Sequence, residues 1–240
     1  MSKRKILITG AAGRIGTVLR HGLRERYDLR LLYHNTVHPA EPGEEVHVSS
    51  ITDMDKILAA TEGIHTVVHM AGDPNGSSSF EDILEANIRG VYTVYEASKQ
   101  NGVHRVIFAS TNHVIGYYEK NGLYTTTEMN ARPDSFYGAS KAYGEDLGRY
   151  YSDAFGLSVI CLRIGSFQPP EKVINRSIDR ILSSWLSPRD TVQLVWRSIE
   201  SDVQFGIYFG ISGNTRAYWD LSNAREELGY DPEDNSEDHA

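Results

Sequence analysis

Lys5-Ile6-Leu7-Ile8-Thr9 runs directly into Gly10-Ala11-Ala12-Gly13-Arg14-Ile15-Gly16, and a helix-like stretch continues to Arg26. A short apolar run, a glycine-rich turn and an amphipathic segment in that order read as strand, phosphate-binding turn and helix. Gly10 can take a positive φ in the turn, Gly13 lets backbone approach a diphosphate, and Gly16 lets the helix pack closely on the sheet. The N–H groups at the helix start then face the anion. The spacing is Gly-x-x-Gly-x-x-Gly, not Gly-x-Gly-x-x-Gly. A lone glycine-rich loop is often only a tight turn, so its place between an N-terminal strand and a helix gives it its weight.

Further apolar runs at 29–33, 46–48, 66–70, 105–109, 157–162 and 206–209 alternate with helix-like segments at 13–26, 53–61, 80–101, 135–155, 174–186, 189–201 and 221–228. The alternation predicts an α/β fold: a Rossmann-type doubly wound parallel sheet with helices on both faces and a small C-terminal substrate-binding region. One domain over 1–240 is expected, with substrate-binding segments mainly within 165–220. Gly102, Gly156 and Gly229 fall just past three of the helices, where a left-handed cap is wanted. Residues 231–240 are acidic and polar and are expected to fray. In such a sheet ligands lie beyond the carboxyl ends of the strands. The segments that follow strands are the glycine turn, His69-Met70-Ala71-Gly72-Asp73-Pro74, Ser110-Thr111-Asn112-His113 and Arg163-Ile164-Gly165-Ser166.

Tyr137-Gly138-Ala139-Ser140-Lys141 places a phenol and an ammonium on one helical face. An adjacent ammonium stabilises the phenolate, so a tyrosine of ordinary pKa near ~10 can work as a base closer to neutral pH. Taken alone the spacing is weak, because an exposed lysine beside a half-buried tyrosine is common on amphipathic helices.

The chain has 240 residues, 40% hydrophobic and 23% charged, and a formal charge of -8. That suits a soluble globular protein, no apolar run approaches the ~18–20 residues of a membrane span, and the basic Met-Ser-Lys-Arg-Lys start is not a signal peptide. The negative charge and the lack of a basic stripe argue against nucleic acid as a partner. The one cysteine, Cys161, sits among apolar neighbours and reads as a buried strand residue in a cytoplasmic protein. The nine histidines show no metal pattern: His65/His69 and His34/His38 are four apart, but in a strand and a loop, where that spacing does not converge.

These segments together resemble the extended short-chain dehydrogenase/reductase superfamily, the NAD-dependent epimerase/dehydratase group, over nearly the whole chain. Phe108 to Tyr118, Ala131-Arg132-Pro133-Asp134, Arg163-Ile164-Gly165-Ser166 and Ser184-Trp185-Leu186-Ser187 resemble uronate dehydrogenases. Ala71-Gly72-Asp73-Pro74, Gly148-Arg149-Tyr150-Tyr151 and Leu228-Gly229-Tyr230-Asp231-Pro232 are similar to the haloarchaeal NAD-dependent glucose-6-phosphate dehydrogenases. Both groups oxidise an anomeric carbon to a lactone. The resemblance implies that Tyr137 is the base, that Lys141 lowers its pKa and holds the nicotinamide ribose, and that Thr111 stands in for the catalytic serine. It further implies that Asn112, Ser166 and Arg180 contact the sugar, Arg180 through a bidentate fork to an anionic group. Arg176 competes for that role, because 167–179 is longer than in the uronate enzymes. Asp73 joins the sugar-facing set. His113 reads as a substrate hydrogen-bonder or, with slightly more weight, a packed supporting group. Asn87 either serves a proton path, as its family position implies, or is a surface asparagine.

For the cofactor, the resemblance implies NAD bound by Gly10, Gly13, Arg14, Ile15, Gly16, His34 and Asn35. Further contacts are implied from Ser50, Ile51, Met70, Ala71, Gly72, Asn87, Ser110 and Ile164, with Tyr137 and Lys141. The second strand departs from the pattern, because Tyr33-His34-Asn35 replaces the carboxylate that would hold the ribose hydroxyls, and Ser50 replaces an aspartate near adenine. NADP is therefore tolerable beside a preferred NAD, and Tyr33 is expected to face the ribose. The substrate is expected to be a hexuronate, then a neutral aldose or a sugar phosphate. A nucleotide-sugar epimerase comes behind these, and a non-catalytic NAD(P)-binding module is the reading from another class. A homo-oligomer is expected.

Overall fold

Ile6, Leu7 and Ile8 in strand β1 (Lys5–Thr9) are all fully buried but serve two different cores. Ile6 and Ile8 pack with Leu19 and Leu23 of helix α1 (Arg14–Leu23), while Leu7 packs on the opposite face. Successive side chains of a strand point to opposite faces, so an unbroken apolar run of this kind needs a sheet covered on both sides.

The protein is described from a computed structural model covering residues 3–173 and 179–239. Strands β2 (Asp28–Tyr33), β3 (Glu44–Val48), β4 (Thr66–His69), β5 (Arg105–Thr111) and β6 (Ser158–Ile164) join β1. Two short strands, β7 (Ser166–Phe167) and β8 (Trp185–Leu186), pair separately, and β9 (Phe205–Gly210) closes the large sheet. The order of that sheet is β3-β2-β1-β4-β5-β6-β9 with every pairing parallel. Strand order reverses between β1 and β4, which opens a crevice at their carboxyl ends. Helices α1 and α8 (Pro188–Glu200) cover one face; α2 (Met54–Thr61), α4 (Gly90–Gln100) and α6 (Phe136–Phe155) cover the other. The doubly wound parallel sheet expected from the alternation is therefore present. Cys161 is fully buried in it. Gly102, Gly156 and Gly229 all have φ between 63° and 72°, the left-handed cap conformation.

Four local expectations need correction. The helix expected over 80–101 is α3 (Phe80–Ile83), a π-helical turn at Leu84–Arg89, and α4. Segment 221–228 also contains a π turn, Ala224–Leu228. The helix expected over 174–186 is short, α7 (Asp179–Ser184), and gives way to β8 because Trp185 is fully buried and its indole donates to the Gln168 carbonyl at 2.9 Å. Residues 174–178 lie outside the described residues. The acidic tail does not fray as far as His239: the Asp190 carboxylate accepts the N–H groups of Glu233 and Asp234, and Ser236 donates to the Leu182 carbonyl at 2.6 Å.

The feature that sets the depth of the crevice floor is how closely α6 lies on the sheet. Cβ atoms added at Gly138, Gly144 and Gly148 would run into the His113 carbonyl, the Phe108 ring, and Tyr95 with Val159. At an exposed helical site, glycine to alanine stabilises by about 1 kcal/mol. At Gly138 the sign should reverse, because the opposing atom is backbone and cannot swing away. Gly138→Ala should cost about 1–3 kcal/mol and lower Tm by several degrees; a rise in Tm would show that α6 can lift without penalty.

Candidate active site

The site is a cleft of about 750 Å³ beyond the carboxyl ends of β1, β4, β5 and β6. Its first wall is the glycine turn. Gly10 takes φ 68° and accepts the Gly13 N–H at 2.9 Å, and a Cβ on Gly16 would overlap the Gly10 carbonyl. Helix α1 starts with Gly13 as its cap, without a side-chain hydrogen bond or an acidic residue in its first turn. In contrast α2, α6 and α8 are capped by Asp53, Ser135 and Ser187. The first N–H groups of α1 thus face the cleft without a side-chain cap, and with the helix dipole they suit an anion such as a diphosphate.

Thr9 and His69 join the two strands at the point of reversal. The Thr9 hydroxyl oxygen accepts the Ala71 N–H at 3.2 Å and is hydrogen-bonded to His69 Nδ1, 2.7 Å away. Complete burial, helped by the charge of Lys141, lowers the imidazole pKa to about 3 and keeps it neutral. Sequence reading assigned no role to this pair, which holds the loop that begins at Met70.

Asn87 lies fully buried, an outcome of the π turn that carries it. Its amide oxygen accepts the Asp73 N–H at 2.7 Å, and its nitrogen donates to the Asp73 carbonyl at 3.0 Å and to Ser140 at 3.1 Å. It is thus not a surface residue, nor does it line the cleft; it clamps the loop after β4 to α6. A Cβ on Gly72 would come within 2.8 Å of its oxygen. The same π turn brings Glu85 and Ala86 to the cleft wall, which the even helical period of the sequence gave no sign of.

Tyr137, Lys141 and Thr111 meet in this cleft. The Lys141 ammonium is 4.9 Å from the Phe108 ring centroid and 5.8 Å from that of Tyr137. Burial pulls the ammonium pKa down to about 8 against the opposing charge of Asp73. Burial also raises the Tyr137 phenol, with the Thr111 hydroxyl working against it and Asp73 adding to it. This corrects the expectation that Tyr137 is lowered by its neighbour: in so dry a pocket desolvation is the larger effect on both groups.

Arg14, Ile15, His34, Ser50, Ile51, Met70, Ala71, Gly72, Ser110 and Ile164 line the cleft, as do Asp73, Asn112, His113, Ser166 and Arg180. Besides Asn87, two expected residues do not reach it. Asn35 is exposed outside it, and Tyr33, expected to face a ribose, is 1% exposed with its ring edge-on to His38 at 5.8 Å. The pleat turns Tyr33 toward the α1 side with Leu29 and Leu31, so His34 takes the place at the cleft. Arg176 lies outside the described residues.

Ser110 donates to Glu145 at 2.5 Å, and Arg163 makes a bidentate pair with the same carboxylate at 2.9 and 2.8 Å. His113 Nδ1 is 2.8 Å from Asp134 and its ring packs edge-on against Tyr137. Burial pushes the Asp134 carboxyl up, but the hydrogen bonds from His113 and Lys120 outweigh it and hold it low. His113 is thus oriented by a carboxylate and still lines the cleft. Glu119 escaped sequence reading, which stopped one residue short of it: it binds Arg180, Tyr218 and Asn112 together. Among the described residues no group of histidines, cysteines and carboxylates could hold a metal ion, and no helix is long and apolar enough to cross a membrane.

The buried ammonium carries a stability signature. Folding lowers the Lys141 pKa from its ordinary 10.5 to about 8. Between those values the unfolded chain binds more protons, so stability rises with pH there, and the penalty of burying the charge is complete below pH 8. Lys141→Met should therefore stabilise the fold at pH 7 by roughly 3 kcal/mol or less, with the gain shrinking toward pH 10. Denaturant unfolding at both pH values reads it; a difference that does not change with pH would show that Lys141 is not held charged in the interior.

Residues 6–205 match the NAD dependent epimerase/dehydratase family. A uronate dehydrogenase from Pseudomonas syringae pv. tomato is 42% identical over 97% of this chain and 83% of its own length. An NAD-dependent glucose-6-phosphate dehydrogenase from Haloferax volcanii is 37% identical over 96% and 94%. The solved structure of a mutant uronate dehydrogenase from Agrobacterium tumefaciens, complexed with NAD, has a TM-score of 0.90 and 36% identity, covering 99% of this chain and 87% of that one. With its glycine turn, parallel sheet and Tyr137–Lys141 pair accounted for over nearly its whole length, the chain belongs to the NAD-dependent epimerase/dehydratase family.

Proposed function

We propose that the chain is an NAD-dependent dehydrogenase that oxidises the anomeric C1 of a sugar to the lactone, with a hexuronate such as glucuronate or galacturonate as substrate. The observation that carries this reading is the convergence of Tyr137, Lys141 and Thr111 in the same cleft as the uncapped start of α1. The cleft fits a dinucleotide: its glycines leave room where a Cβ would overlap backbone, and the α1 N–H groups offer a diphosphate site. When bound, the nicotinamide accepts the hydride that leaves C1. Tyr137 takes the O1 proton, the Thr111 hydroxyl holds the same oxygen, and Lys141 supplies the positive charge that a phenolate needs in a pocket where burial alone disfavours it. Asn112, Ser166 and Arg180 orient the sugar from the substrate side. A neutral aldose or a sugar phosphate is the second reading: Asp73, a carboxylate near enough to bear on both Tyr137 and Lys141, favours the neutral sugar, and the likeness to a glucose-6-phosphate dehydrogenase supports the phosphate.

Tyr137→Phe keeps the ring and removes the hydroxyl. It should cut sugar oxidation by at least about a hundredfold while leaving NAD affinity near wild type. Turnover within tenfold of wild type would take the base role from Tyr137. The decisive panel is glucuronate, galacturonate, glucose and glucose 6-phosphate, each with NAD and NADP, followed by formation of reduced nicotinamide.

NAD should be preferred with little rejection of NADP, since no carboxylate stands at the end of β2. His34→Asp places one at the cleft and should raise the NAD to NADP ratio of kcat/KM by about tenfold. An unmoved ratio would show that position 34 does not face the ribose.

A further inference from the structure

Arg180, the cation available to an anionic sugar, is already engaged. Its Nε donates to Glu119 Oε1, and the two side chains differ in setting: that of Arg180 is 43% exposed and that of Glu119 only 8%. Glu119 sits on α5 (Gly116–Lys120) in a second cavity of about 500 Å³ that shares His113 and Arg180 with the main cleft. Its carboxylate is anchored there by further donors, the Tyr218 hydroxyl to Oε1 at 3.0 Å and Asn112 Nδ2 to Oε2 at 3.0 Å. A carboxylate fixed by two other donors and shielded from water is a preorganised partner for a guanidinium. A carboxylate or phosphate arriving on a sugar must compete with it.

We infer that Glu119 is a specificity-determining residue: by holding Arg180 toward the second cavity it lowers affinity for anionic sugars, while a neutral sugar has no need of the guanidinium and escapes the competition. The inference rests on the reading that the cleft binds a sugar. Glu119 acts through Arg180 and does not touch the reacting atoms. It also ties Asn112, a sugar-facing residue, to the same carboxylate, so one side chain couples the charged end of the site to the end beside Thr111.

The test is a pair of dissociation constants, for D-glucuronate and D-glucose, measured by calorimetry with NADH present so that nothing turns over. Glu119→Gln keeps the shape and removes the charge. The ratio of glucose to glucuronate dissociation constants should rise by about tenfold, a single charge-assisted bond. In an Arg180→Ala background the same substitution should leave the ratio unmoved, because the competitor's target is gone. A ratio that does not change in Glu119→Gln, or that changes equally without Arg180, overturns the inference while leaving the sugar reading intact. Failure of both sugars to bind wild type and Glu119→Gln alike overturns the sugar reading and this inference with it.

Discussion

The close docking of α6 on the sheet is the constraint from which the rest of the site follows. Three glycines on the buried side of that helix remove the side chains that would hold it off, and each faces an atom of a different element. With the helix so deep, Tyr137, Lys141 and Glu145 project inward one turn apart, and two charged groups end nearly out of reach of water at 4% exposure each. Glu145 is neutralised by the Arg163 fork and Ser110. Among the described residues Lys141 receives no such carboxylate partner; its ammonium lies close to Gly72 and among the Phe108 and Tyr137 rings, with the charge of Asp73 acting from farther off. A helix seated a few ångströms higher would give an ordinary solvated lysine and an ordinary tyrosine.

Dryness then moves both titrating groups in the direction that favours their neutral forms. Neither the phenolate nor the ammonium is comfortable alone, and each is the other's best remedy. Burial is the largest cause of both shifts, and Asp73 bears on both groups, raising the phenol and opposing the fall of the ammonium. His69 contributes by staying neutral: a protonated imidazole behind the loop would add a second buried cation beside Lys141, and its burial together with the charge of Lys141 disfavours that.

Much of the scaffold was legible because it is carried by local pattern. The run Ile6-Leu7-Ile8, the positive-φ glycines at helix ends and the segments following strands each report a backbone requirement that a single stretch of sequence can express. The failures have a common origin in long-range packing. Nothing near Trp185 announces that Gln168 will take its indole proton and draw it into a strand, and nothing in the acidic tail shows that Asp190 will receive its backbone. The π turn at Leu84–Arg89 adds a residue to one helical turn, so the facing of Glu85, Ala86 and Asn87 cannot be obtained from a regular 3.6-residue period. Tyr33 was misplaced by one position of the pleat, which on a strand is enough to exchange cleft for core.

The two ends of the cleft differ in charge: no carboxylate stands at the end of β2, whereas three carboxylates stand about the end that holds Thr111 and Arg180. The end of β2 presents His34 where the family pattern has a carboxylate, and Ser50 lies at the end of β3. At the other end Asp73 bears on Tyr137 and Lys141, and Glu119 and Asp134 pair with Arg180 and His113. Each of these carboxylates is held by donors from its own wall: Asp73 by Asn75 and Ser78, Asp134 by His113 and Lys120, Glu119 by Asn112 and Tyr218. A bare carboxylate would repel every anion that approached, whereas one tied into the wall acts mainly by deciding which cations remain at liberty to bind it. Glu119 and Asp134 are of the second kind, since each is already paired with a basic side chain that lines the cleft, Arg180 and His113.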